Sequence, residues 1–165
     1  MHNSFPPPED EGDRRLLHNV QTQGWHVLHV GGSTEDDPNV PDWSYSIGLF
    51  HTFEHPELIV VGLPFATAQA ILDGLGSRIK AGQRFDHGMR DSEVLTNHDV
   101  RFITMRRGRN RSMLGYAFWF YRGKEFPVLQ VVWPDRAGRF PGDPGCALDD
   151  FTQPILGRMG TELPS

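Results

Sequence analysis

HTFEHPE, residues 51–57, is the stretch of this chain with the most evident chemical potential. His51 and His55 stand four apart. On a helix that spacing brings two imidazoles to one face, as in zinc sites built on HExxH. Glu54, Glu57, Asp42, His87 and His98 are the further donors the chain could bring. Metal sites need three or four converging ligands, and two histidines alone do not supply them. The sequence therefore assigns no metal; if one is held, His51 and His55 hold it. Pro56 disfavours helix at His55, although one helical turn would still bring the rings together. The expectation is a rigid polar hairpin at the mouth of a pocket.

Tyr45, Ser46 and Gly48 precede this stretch on a strand-like run. A glycine inside a strand marks a bulge or a close approach, either of a ligand or of packed backbone. The second candidate is WPDRAGRFP, 133–141, directly after an apolar run. Arg136 and Arg139 offer guanidinium forks that hold carboxylate or phosphate bidentately. Trp133 could stack on a planar ring. The alternative is that Asp135 pairs with an arginine to fix a loop rich in Pro and Gly while Trp133 enters the core. A third feature is the arginine run at 101, 106, 107, 109 and 111. It could contact phosphates or simply sit solvated on a hairpin tip.

The elements that must carry these residues follow from periodicity. Residues 1–9 contain three consecutive prolines and are expected to be a flexible tail. A single α+β domain is expected over 10–160. Asp10 to Gln23 is helical in pattern, with Gly24 as its stop. WHVLHV (25–30), WSYSIGLF (43–50), ELIVVGL (57–63), VRFITM (100–105) and FPVLQVVW (126–133) read as strands. The third is nearly continuous apolar, so it should be central and covered on both faces. Pro64 opens a helix that runs to residue 81, and Gly74 and Gly76 suit a close approach to the sheet. Residues 112–123 fit helix slightly better than strand, and 149–156 read as a short terminal helix broken by Pro154. The early strands follow one another without crossover helices. The fold class is therefore α+β, a mainly antiparallel sheet, with a barrel-like closure as its alternative, carrying two to four helices.

Composition narrows the function. The net charge of −5 argues against a general nucleic-acid partner. No apolar run approaches the length that spans a membrane, and the first residues do not read as a secretory signal. Cys146 is the one cysteine, which excludes an internal disulfide and fits a cytoplasmic setting. It has no evident base beside it, so a nucleophile role is not supported. There is no P-loop, GxGxxG or GxSxG. Nothing assigns a reaction or a cofactor, and enzyme and binder both stay open.

Three separated segments carry a resemblance: YSIGLFHTFEHPELIVVGLP, AGQRF and FPVLQVVWPDRAGRFP. Together they resemble a bacterial family of domains of unknown function, DUF4262, from the first helix to QPIL. The resemblance implies a small cytoplasmic bacterial domain and carries over no catalytic residue. Members often have an aromatic after the Phe-Pro of the last loop, where this chain has Gly142, so no stacking role is implied there. The strand and helix order is also similar to flavin-binding split barrels. That similarity implies phosphate contacts from residues such as Ser44, Ser46, Arg136 and Arg139, without a matching motif.

The expected function is binding of a small anionic or flavin-like ligand between the 45–57 hairpin and the 133–141 loop. Its site residues are Tyr45, Ser46, His51, His55, Trp133, Asp135, Arg136 and Arg139. The alternatives are a non-enzymatic module, regulatory or immunity-type, with a protein partner, and a mononuclear metal protein.

Overall fold

The computed structural model describes residues 5–108 and 112–159. Helix α1 (Glu11–Gln23) starts on a reciprocal cap. The Asp10 carboxylate accepts from the Asp13 amide at 2.8 Å, and Asp13 accepts from the Glu9 amide at 2.9 Å. Such a cap contributes about 1 kcal/mol. The helix stops at Gly24, whose φ of 109° lets its N–H reach back to the carbonyls of Asn19 and Val20.

Strands β1 (His26–Val30), β2 (Trp43–Ile47) and β3 (Glu57–Val61) form an antiparallel meander. Helix α2 (Leu49–Phe53) fills the connection between β2 and β3. Helix α3 (Phe65–Lys80) then carries the chain to the opposite edge of the sheet. There β4 (Arg90–Leu95) and β5 (His98–Thr104) form a hairpin, with Asn97 at φ 68° in its turn. Helix α4 (Gly115–Phe120) leads into β6 (Val128–Val132), which pairs antiparallel with β5 and parallel with β3. The order is β1-β2-β3-β6-β5-β4. The sheet is open, so the barrel alternative does not hold; its two ends, β1 and β4, are the edges of one layer.

Both faces of the sheet are covered. Ile59 and Val61 join the core under α1 and α4, with Leu16, Leu17, Val20 and Phe118. Leu58 and Val60 join the core under α3, with Ala68, Ile71, Leu72, Leu75 and Ile79. Alternate residues of a strand point to opposite faces, which explains why β3 is apolar at almost every position. Gly76 permits the close packing of α3: an added Cβ would lie 2.6 Å from the Trp25 ring. Gly74 meets nothing within 4 Å.

Three expectations need correction, and one strand was not anticipated. The second strand ends at Ile47, because Gly48 takes φ 115° and turns the chain into α2. Residues 90–95 form a strand that their charged sequence hides. Residues 149–156 form turns, and Gly157 bridges to Met105 in place of a terminal helix. Within the expected tail, Phe5 packs against His51 and Phe120, with ring centroids at 5.2 and 5.6 Å, and its carbonyl accepts from Arg122 at 2.8 Å.

Candidate functional site

The HTFEHPE segment is organised around Glu57. A carboxylate at the first position of a buried strand needs partners, and the turn from β2 into α2 supplies them. Glu57 accepts from the Ser46 hydroxyl at 2.7 Å and from the amides of Gly48, Leu49 and Phe50 at 2.9, 3.2 and 3.3 Å. It also accepts from the Tyr121 hydroxyl. Ser46 and Tyr121 in turn accept from the amides of Leu58 and His51, so their only protons point at Glu57. Burial pushes the Glu57 carboxyl above the usual range, and the hydrogen bonds from Tyr121, Ser46 and the backbone oppose that shift. As placed, all five neighbours donate to the carboxyl, an arrangement that favours its ionised form. Burial and the Glu57 charge hold the Tyr121 phenol far above its ordinary value.

The two histidines diverge from this centre. The His51 ring lies among Phe5 and Phe120, and burial lowers its pKa. His55 is fully buried. Its Nδ1–H donates to the Pro56 carbonyl at 2.9 Å, and its Nε2 accepts from the Phe85 amide at 3.0 Å. Both nitrogens are occupied, which leaves no lone pair for a metal. Among the described residues no group of three or more His, Cys, Asp or Glu is arranged to hold one. Tyr45 is buried, and that burial pushes its phenol up to about 12. Ser44 and Ser46 are buried as well.

A second polar constellation was not visible in the sequence. Ser44 Oγ lies 2.7 Å from His29 Nδ1, and His29 Nε2 lies 3.2 Å from Asp42. Asp42 also accepts from the Gly32 amide at 3.0 Å. The connectivity is that of a Ser-His-Asp triad. Ser44 has no exposed surface, so no substrate reaches the hydroxyl. The trio instead clasps the 31–42 connection to the sheet.

The 133–141 loop lies at the other end of the sheet. β6 runs parallel to β3, with Glu57 opposite Val128. The segment before β3 and the loop after β6 are therefore separated by the length of the strands. The eight candidate residues do not converge: Tyr45, Ser46, His51 and His55 belong to the amino-terminal half of the sheet and the Glu57 end, and the other four surround the carboxyl ends of β3 and β6. Trp133 is held there by its indole N–H on the Val61 carbonyl at 2.8 Å. Gln153 clamps its main chain from both sides, donating at 2.7 Å and accepting at 3.0 Å. Asp135 accepts from the amides of Ala137, Arg139 and Ala147 at 2.8–2.9 Å, and these bonds, Ala147's first, hold its pKa low. It is the pin of the loop.

Around this pinned loop lies a pocket of about 460 Å³. Trp133, Pro134, Ala137, Ala147 and Leu148 provide its apolar wall. Arg139 lines it while donating to the Gly145 carbonyl at 2.9 Å. Arg136 is exposed at the same pocket and has no hydrogen-bond partner among the described residues. Gly145, Ala147, Leu148 and Gln153 escaped the sequence reading, because nothing in their types marks them apart from other loop residues. In the arginine run, Arg101 donates to the Met159 carbonyl at 2.7 Å and stacks 5.6 Å from the Phe140 ring centre. Arg109 and Arg111 lie outside the described residues.

Fold and site together define a single α+β domain: an open six-stranded sheet with a pinned, arginine-bearing pocket where its two parallel strands end. The chain belongs to the family described as domain of unknown function (DUF4262), whose model matches residues 19–147. That span includes both HTFEHPE and the Trp133–Ala147 loop. No curated protein and no solved structure matches the chain.

Proposed function

We propose that this domain binds a small anionic ligand with a flat or apolar body in the pocket around Trp133. The observation that carries the reading is Arg136, an unpaired guanidinium beside a largely apolar wall. The pocket volume of about 460 Å³ lies within the range of about 300–1,000 Å³ common for small-molecule sites. The site also lies outside the carboxyl ends of parallel strands, where ligands collect in open α/β sheets; here that is an analogy of position. The anion would sit on the guanidinium groups of Arg136 and Arg139, and the body against Trp133 and Leu148. A flavin phosphate is the larger member of this class, an aryl carboxylate the smaller. A bacterial cytoplasmic setting accords with the single thiol, Cys146.

The test is native mass spectrometry of protein purified without additives, followed by titration with flavin mononucleotide, pyridoxal phosphate and benzoate. A surplus mass or saturable binding that falls about tenfold in Arg136→Ala is the expected result. A bare mass with no binding of any of the three, or binding indifferent to Arg136→Ala, refutes it.

A further inference from the structure

The two edges of the sheet are built differently. β4 presents Arg90, Asp91 and Glu93, and its ladder with β5 shifts register between Asp91 and Leu95. Charges and bulges of this kind keep a free edge from pairing with other chains. β1, HVLHV, has no proline, no acidic residue, no lysine or arginine, and an uninterrupted five-residue ladder with β2.

β1 also lies along a trough of about 410 Å³. One wall is Arg15, Asn19 and Gln23 of α1, spaced four apart on one helix face. The other is Phe65, Gln69 and Asp73 of α3, spaced the same way. In an antiparallel ladder, alternate residues of an edge strand turn both N–H and C=O away from their neighbour. Among the described residues, no hydrogen bond from outside the ladder reaches the main chain of residues 26–30.

We propose that the outer edge of β1 is a docking strand for an extended segment of a protein partner. Donors and acceptors repeating at strand spacing match another extended backbone. A second copy of this chain is a poor occupant, since its own β1 lies in the same kind of trough between two helices. The walls supply charge complementarity. His26 bonds Asn19 on the α1 side, and His29 packs on Phe65 on the α3 side. Alternate side chains of the incoming strand therefore face Arg15 on one side and Asp73 on the other. Arg15 has no hydrogen-bond partner among the described residues, whereas one Asp73 oxygen accepts from the Trp25 indole at 2.9 Å. The partner segment carries an acidic residue toward α1 and a basic one toward α3.

The test pans a phage-displayed random peptide library against the full chain, then follows backbone amide exchange with the selected peptides bound. The expected peptides carry an acidic and a basic residue on opposite faces of the strand and slow exchange within residues 26–30. Arg15→Glu weakens their binding by about tenfold or more, and Arg14→Glu, one position away, weakens it far less. The proposal is overturned if no peptide is enriched, if protection appears away from β1, or if Arg15→Glu binds as the parent does. It is equally overturned if the free protein sediments as a dimer whose β1 amides are already protected, which would make a second copy the occupant.

Discussion

Five donors converge on Glu57, three of them backbone amides that cannot accept a proton in return. Glu57→Gln would turn an amide N–H toward those donors and remove the charge they stabilise. The expected cost is about 2–4 kcal/mol of stability. Urea unfolding at neutral pH measures it; a midpoint equal to the parent's would show that the network is not ionised as described. At this scale the sequence was half legible. HTFEHPE stands out through its histidines, yet the residue with the most partners is the glutamate after them. A visible signal existed: a lone carboxylate opening an otherwise apolar strand must be neutralised or heavily bonded. The identity of its partners was not legible, since Tyr121 lies far along the chain and meets Glu57 only through tertiary packing. A fixing role for Asp135 was legible but its partners were not: the sequence suggested an arginine, and the carboxylate takes the amides of Ala137, Arg139 and Ala147 instead.

Elements were read well where one periodicity dominates, and poorly where chain reversal or charge interrupts it. α1, β3, α3 and β6 follow their patterns. β4 does not, because RDSEVL is an edge strand whose Arg90, Ser92 and Glu93 face water, and only Val94 and Leu95 pack against the core. The β2–α2 boundary turns on the positive φ of Gly48, which the sequence offers only as a glycine in a strand. The two glycines of α3 separate packing from propensity. Gly74→Ala fills open space and should stabilise the protein by up to about 1 kcal/mol. Gly76→Ala drives a methyl into Trp25, 2.6 Å from its ring, and should destabilise by about 1–3 kcal/mol. Thermal unfolding of the pair distinguishes them; two variants shifting in the same direction would contradict the packing of α3 on Trp25.

For the whole molecule, three histidines set the acid limb of stability. Burial holds His26, His51 and His55 below their ordinary value of 6.5 in the folded state. The unfolded chain therefore binds protons that the folded chain refuses once the pH drops below about 6.5, and stability falls from there downward. Asp91, paired with Arg78, and Asp135, bonded to backbone amides, have lowered values and add a further loss below about pH 4. Melting temperatures between pH 8 and pH 5 should decline, and the decline should shrink by roughly one proton's worth in His55→Gln. A flat profile would mean that these rings ionise freely in the fold. Fold class and single-domain size were legible from composition and pattern. The relation between the two candidate regions was not, because it depends on the parallel pairing of β3 with β6, which no local pattern announces.

That parallel seam has a consequence for how the chain comes into being. On the ribosome, β3 emerges long before β6. Until the last strand appears, the ELIVV strand stands with one edge bare and both faces apolar, the composition most prone to wrong pairing. Folding of the amino-terminal half cannot be completed as it is synthesised. A product truncated before β6 is left with an adhesive strand in place of a smaller domain.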